Sequence, residues 1–426
     1  MGLWKWNATH VPWVREHIAP HSGREEASRE ACRKVEEHYE KLRGLYTSVR
    51  GITWAFSMDE FSFHATQRLV EPIHKREVRM FTRKTVFVVG AGASKEVNLP
   101  VGDELKTIIA NKLNIQFQDG YNQSSGDREI VNALRMIGEE KGERDINPYI
   151  HAGRTIAAAM PQAISIDNFL HTHAANEKIV LMGKLGIAAG ILEAEKKSKL
   201  VINMKSQTID FDVHHEIWHN TFCKMLCEGV QLDDLDSVFD NVSFITFNYD
   251  RCIEHYVPHW LANYMLIGID QAQALTSKLR VFHPYGQIGR LPWQKGTQAS
   301  HQYGAGPDGR SLPNIAGQIR TFTERVEDDD MLMAMQEVLS DAQQIIYIGF
   351  SYGRLNMELM QLIDNAIDKS VFGTIYRMSV PNGIASENRI RNSLTVAGKG
   401  NFVRDCALTD VPANQLLNNY WYHLSD

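Results

Sequence analysis

Five consecutive β-prone residues, Thr85-Val86-Phe87-Val88-Val89, run straight into Gly90-Ala91-Gly92-Ala93-Ser94. A run with no alternation of apolar and polar positions suits a strand buried on both faces, the situation of a central strand in a parallel sheet. Gly90 and Gly92 permit a tight turn after the strand and let a ligand approach bare backbone amides. A helix starting there would favour a phosphate at its positive end. Two better-known phosphate signatures are missing. Lys95 stands where the dinucleotide fingerprint Gly-x-Gly-x-x-Gly has its third glycine, and the Gly-x-x-x-x-Gly-Lys-Ser/Thr spacing is absent. By itself, the turn suits a nucleotide site and a plain α/β connection equally well.

Three further runs repeat the theme. Val242–Phe247 ends in Asn248-Tyr249-Asp250 and leads into a helix over 251–264; Arg280–Phe282 ends in His283-Pro284-Tyr285-Gly286. A strand at 344–348 ends in Gly349-Phe350-Ser351, with a helix from about Asn356. Residues 103–115 form a helix after the first turn, and two last strands fall near 372–380 and 401–407, the first closing at the turn Pro381-Asn382-Gly383. Residues 120–240, alanine-rich over 150–205, read as a helical insertion between the first and second strands. Residues 286–330, rich in Gly, Pro and polar groups, read as a long loop able to cover a ligand. Trp4, Trp6, Trp13 and the amphipathic pattern over 23–50 make residues 1–80 a helical N-terminal extension that packs or mediates oligomerisation. The expected fold is α/β: a Rossmann-like doubly wound parallel sheet over 81–426, with a large helical insertion and a helical N-terminal extension.

Composition removes several classes. The 426 residues, 43% hydrophobic and 23% charged, allow a sizeable core and speak against disorder. A net charge of -6 argues against nonspecific nucleic-acid binding by the whole surface. No run of 18 apolar residues occurs, and Met1-Gly2-Leu3-Trp4-Lys5-Trp6 has neither a signal peptide's pattern nor a myristoylation site, so a cytoplasmic location without direct membrane association is expected. Five widely spaced cysteines do not suggest a disulfide framework, and Cys223 and Cys227 have no matching second pair for a structural zinc.

Ligands of open parallel sheets bind beyond the carboxyl ends of the strands, so the four polar turns are expected to border one crevice. Gly90 to Ser94, Thr246-Phe247-Asn248-Tyr249-Asp250, His283 to Gly286 and Gly349-Phe350-Ser351, in that order, resemble the motifs of the sirtuin superfamily. The resemblance, over about 85–380, is to the sirtuin-like NAD-cleaving effectors of bacterial antiphage defence in particular. Pro284 and Tyr285 open the sirtuin His-Gly pair. The two Cys-x-x-Cys pairs of the deacetylase zinc module have no counterpart, and Leu99-Pro100-Val101-Gly102-Asp103 replaces Pro-x-Phe-Arg; both departures speak against peptide deacylation. The resemblance implies an NAD glycohydrolase, a toxic effector that takes NAD as substrate, requires no metal and releases nicotinamide and an ADP-ribose product. It further implies a homo-oligomer, with an ATPase or Argonaute-type defence protein as a possible partner.

Departure of the cationic nicotinamide passes through an oxocarbenium-like state, which chiefly needs positioning and charge stabilisation. Asn248 is expected to fix the ribose hydroxyls or a water below the anomeric carbon, and His283 to accept a proton from one of them. The resemblance assigns the diphosphate to Gly90, Ala91, Gly92 and Ser94, and the adenosine side to Gly349 and Ser351. Asp250 is expected to bind the nicotinamide carboxamide or to orient the Asn248 turn. Plainer readings make Asn248 and Asp250 helix caps and His283 a loop histidine. Asp167, in Ser165-Ile166-Asp167-Asn168-Phe169-Leu170, is expected to cap the following helix, an acid placed over the pocket being the other reading. Two rivals remain: a noncatalytic sensor of NAD or ADP-ribose, and a zinc protease built on His215-Glu216-Ile217-Trp218-His219 with Glu228 or Asp233 as third ligand.

Overall fold

The structure is a computed structural model and describes residues 81–426 except positions 204, 322, 323, 325–328, 365 and 426. The expected helical extension over 1–80 lies outside the described residues. Six strands make one sheet: β1 (Thr85–Val89), β2 (Val242–Thr246), β3 (Arg280–Phe282), β4 (Gln344–Ile348), β5 (Lys369–Thr374) and β6 (Val403–Thr409). Every pairing in it is parallel. The order across the sheet is β3-β2-β1-β4-β5-β6, the order of doubly wound dinucleotide-binding sheets. The chain winds outward from β1 in one direction and from β4 in the other, so the sheet has its topological switch between the carboxyl ends of β1 and β4.

Strands β1, β2 and β4 are buried at every position, as suits their largely apolar runs. Alternate residues face opposite layers. On one side Phe87 stacks on Phe244 with ring centroids 5.0 Å apart and meets Phe222 edge-on at 5.3 Å, in a core with Trp218, Tyr256 and Ile346. On the other, Val86, Val88, Ile245, Ile345 and Tyr347 pack with Met335, Leu339 and Ile390. Each fully buried apolar side chain contributes roughly 1.5–3 kcal/mol.

Between β1 and β2 run α1 (Gly102–Leu113), α2 (Arg128–Lys141), α3 (Asn147–Ala159), α4 (Ile166–Thr172), α5 (Glu177–Lys196) and α6 (Trp218–Cys227). Helix α5 is buried over most of its length, and a Cβ at Gly183 would lie 2.4 Å from the Leu170 side chain, so that glycine is what lets α4 lie against it. Helix α7 (Cys252–Tyr264) follows β2, α8 (Asp329–Asp341) precedes β4, and α9 (Val380–Ser393) follows β5.

Two local expectations are corrected. Pro381-Asn382-Gly383 is the first turn of α9 rather than a turn closing a strand: Ser379 Oγ accepts from the Asn382 N–H at 3.4 Å, and Pro381 sits where its missing N–H leaves no helical bond unmade. Strand β5 accordingly stops at Thr374, before the expected 380. The stretch 286–330 is no free cover either, because it contains the helical turn Leu312–Ala316, whose buried Leu312, Ile315 and Ala316 join the core around α5.

Candidate functional site

The carboxyl ends of β1 and β4 touch through their backbones. Gly90 N–H donates to Ile348 O at 3.0 Å and Gly92 N–H to Gly349 O at 2.9 Å. A Cβ on Gly90 would lie 2.6 Å from Gly349 O, and one on Gly349, whose φ is +56°, would lie 1.8 Å from Ala93 N. The glycines therefore answer first to this contact at the switch point. The Gly92 amide, expected to face the diphosphate, is engaged within this contact. The helix after the turn is short: Ala91–Ser94, then a 3-10 turn over Lys95–Val97 that ends at Asn98 with φ +70°. Gly92 and Ser351 are exposed along this edge, while Ala91 and Gly349 are half-buried.

Ser94 points inward, to the end of β2. Its hydroxyl accepts from Asn248 Nδ2 at 2.9 Å and donates to Asp250 Oδ2 at 2.8 Å, and all three residues are buried. The other oxygen of Asp250 accepts the Cys252 N–H at 3.1 Å, so Asp250 both steadies the start of α7 and anchors Ser94. Ser94 is thus a strap between β1 and β2. Ser94→Ala leaves a buried amide and a buried carboxylate oxygen without their partner, which is expected to cost about 1–3 kcal/mol. The check is urea unfolding, with the midpoint lowered and the slope unchanged.

The end of β3 joins the same cluster. His283 Nδ1 lies 3.2 Å from the carbonyl of Asn248, and Nε2 lies 2.8 Å from Glu254 Oε1, in the first turn of α7. Burial pulls the His283 pKa down, but the Glu254 carboxylate, the Asn248 carbonyl and Asp250 outweigh it and hold it above 6.5. His283 is therefore not a free loop histidine. Aromatic rings close one side: Phe247 lies 5.2 Å from Phe350 and 5.8 Å from Tyr285, whose hydroxyl donates to Asn356 Oδ1 at 2.6 Å.

The insertion reaches this cluster through α4. Ser165, not Asp167, caps that helix, its Oγ accepting from Asn168 N–H at 3.0 Å. Asp167 instead accepts a hydrogen bond from the hydroxyl of Tyr249, the residue between Asn248 and Asp250, and burial raises its pKa. Of the nine residues expected from sequence, Ser94, Asn248, Asp250 and His283 form one bonded cluster, Gly90, Gly92 and Gly349 form the adjoining backbone contact, and Ala91 and Ser351 lie on its edge.

No family model matches the chain, and no curated protein matches it. Among solved structures it is similar to a Sir2 homolog–NAD complex, at 11% identity over 83% of this chain and 94% of that one, with a TM-score of 0.32. At so low a score the likeness carries no argument about the site.

The zinc-protease pattern does not assemble. Helix α6 begins at Trp218, so the exposed His215 and Glu216 precede it and do not share a helical face with His219. His219 is itself buried and stacked on Trp218 at 3.9 Å, and burial brings its pKa down to about 3. Among the described residues, no group of three or more His, Cys, Asp or Glu is arranged to hold a metal ion.

Sequence reading missed Glu254, Tyr249 and Arg251. Glu254 looks like any acid in a first helical turn, where the dipole favours it, and its partner is 29 residues away in sequence. Arg251 pairs with Glu195 of α5 through Nε at 3.2 Å and Nη2 at 2.5 Å, both side chains being 0% exposed. Only the fold brings these partners together.

Proposed function

We propose that this chain is a sirtuin-like NAD glycohydrolase that releases nicotinamide and an ADP-ribose product, and that it acts as a toxic effector depleting NAD in antiphage defence. The observation that carries the reading is the convergence at the switch point: the ends of β1, β2 and β3 meet in the bonded set Ser94, Asn248, Asp250 and His283, beside the Gly90–Gly349 contact to β4. A sheet of this order binds its ligand at that place. The polar side chains found there suit cleavage of a bond whose leaving group departs with its own charge neutralised, which needs orientation more than a strong acid. Asn248 offers its amide to the nicotinamide ribose, and His283 takes up the proton released as the ribose hydroxyl or a water reacts. Asp250 holds the Asn248 turn, and the exposed edge at Gly92 and Ser351 receives the diphosphate and adenosine. The defence role, a homo-oligomeric assembly and an ATPase or Argonaute-type partner rest on the motif resemblance.

Nicotinamide release by the purified chain is the test. Asn248→Ala and His283→Ala are each expected to slow it by about 100-fold or more. Parent-like rates in both variants would remove this site from the reaction.

A further inference from the structure

We propose that Glu254 is the positioning residue of His283: its carboxylate holds the imidazole through Nε2 before substrate arrives. The inference rests on the proposed function, since His283 accepts a proton only in its neutral form, once Nε2 no longer donates to Glu254, but the pair's geometry stands without NAD.

A carbonyl oxygen only accepts hydrogen bonds, so Nδ1, 3.2 Å from Asn248 O, carries a hydrogen. Nε2 lies 2.8 Å from Glu254 Oε1, so one hydrogen is shared between the ring and the carboxyl group. Burial disfavours the charged ring, but Glu254, the Asn248 carbonyl and Asp250 outweigh it and raise the His283 pKa above its ordinary value. Both side chains are shielded from water, at 9% and 7% exposure, where such an attraction is screened little. The charged groups facing the ring are Glu254 from α7 and Asp250 from the end of β2, and both favour the cation.

Glu254 differs from the buried acids that serve only structure. Asp250 has a partner on each oxygen, and the two oxygens of Glu195 are both taken by Arg251. Glu254 Oε2 is buried with no hydrogen-bond partner among the described residues, so His283 is what its carboxylate serves. An oxygen left so costs about 1–3 kcal/mol, a penalty that a purely architectural acid would avoid by taking a second donor. The consequence is chemical. With Nδ1 on the main chain of Asn248 and Nε2 on Glu254, the imidazole is oriented beside the Asn248 side chain, and loss of the Nε2 hydrogen releases that nitrogen as an acceptor.

The test is a titration of His283 by NMR in the full chain without NAD, its signal assigned by its loss in His283→Asn. In the parent, both ring nitrogens are expected to be protonated at pH 6.5, and the midpoint to lie above that value. Glu254→Gln removes the charge and is expected to lower the midpoint by about one pH unit or more, while Glu254→Asp, which keeps the charge, stays nearer the parent. Stability follows the same sign: the pair's contribution is complete below pH 6.5 and is lost as pH rises through the raised native value, so the gap between parent and Glu254→Gln narrows in alkali. In NAD cleavage, the acid limb of the pH profile moves down in Glu254→Gln. A neutral His283 in the parent at pH 6.5 overturns the proposal without any variant, as does an unchanged midpoint in Glu254→Gln. A shifted midpoint in a chain that never cleaves NAD sinks the proposed function and leaves the Glu254–His283 pair standing.

Discussion

Replacing Arg251 with methionine is expected to destabilise the fold by about 3–5 kcal/mol, the usual result of removing one partner of a buried ion pair. The guanidinium is wholly buried and uses its fork on both oxygens of Glu195, while Nη1 donates to the carbonyls of His301 at 2.5 Å and Arg290 at 3.3 Å. It therefore holds three segments at once: the end of α5, the start of α7 and the loop after β3. Burial, with Asp250 beside it, holds the Glu195 carboxyl above its ordinary value, and Arg251 offsets part of that push. Without the arginine, Glu195 is left uncompensated. The double variant Arg251→Met with Glu195→Leu is expected to recover most of the loss, because the penalty comes from the stranded charge more than from the absent bond. Denaturant unfolding of parent, single and double variants measures this directly. A single-variant loss under about 1 kcal/mol would mean the pair is far better solvated than its burial indicates.

The second large effect belongs to Gly349→Ala. This residue has φ +56°, and its added Cβ would lie 1.8 Å from Ala93 N and 2.4 Å from Gly92 C, atoms of the main chain that cannot swing aside. Left-handed backbone costs a non-glycine residue roughly 1–2 kcal/mol, and forced overpacking adds about 1–3. The turns after β1 and β4 would have to part, and displacement of about 1 Å at a reacting geometry is enough to lose on the order of 100-fold in rate. Gly349→Ala is thus expected to lose stability and NAD cleavage together. Gly102→Ala is the matched control: no atom lies within 4 Å of the added Cβ and the position begins α1, so it is expected to be neutral or slightly stabilising. Thermal unfolding and nicotinamide release on the two variants separate a glycine required by contact from one that is not.

The strands were legible wherever burial on both faces left a largely apolar run, as in Val86–Val89, Val242–Ile245 with its one serine, and Ile345–Ile348. Their polar ends could be read too, because a parallel sheet gathers them at one edge. Less legible was what each end residue binds. Gly90 and Gly92 invite a ligand in sequence, yet their amides face the main chain of Ile348 and Gly349, a contact made across 258 residues or so of chain. Ser94 looks like a phosphate ligand, and its bonds to Asn248 and Asp250 could not be read from the sequence. Pro381-Asn382-Gly383 reads as a turn because each residue is locally turn-prone, and only Ser379 as a cap, with the helix after it, decides otherwise. His215 to His219 matches a motif by spacing, but the helix that would align its histidines starts three residues late.

The central claim is that the cluster around Asn248 cuts NAD rather than merely holding it. The most direct measurement gives the purified chain and its Asn248→Ala variant NAD, follows nicotinamide release from each, and measures NAD binding to the variant by calorimetry. The expected result is release by the parent, release slower by about 100-fold or more in the variant, and NAD still bound by that variant. Equal release from both would contradict it, and so would a parent that binds NAD and leaves it whole.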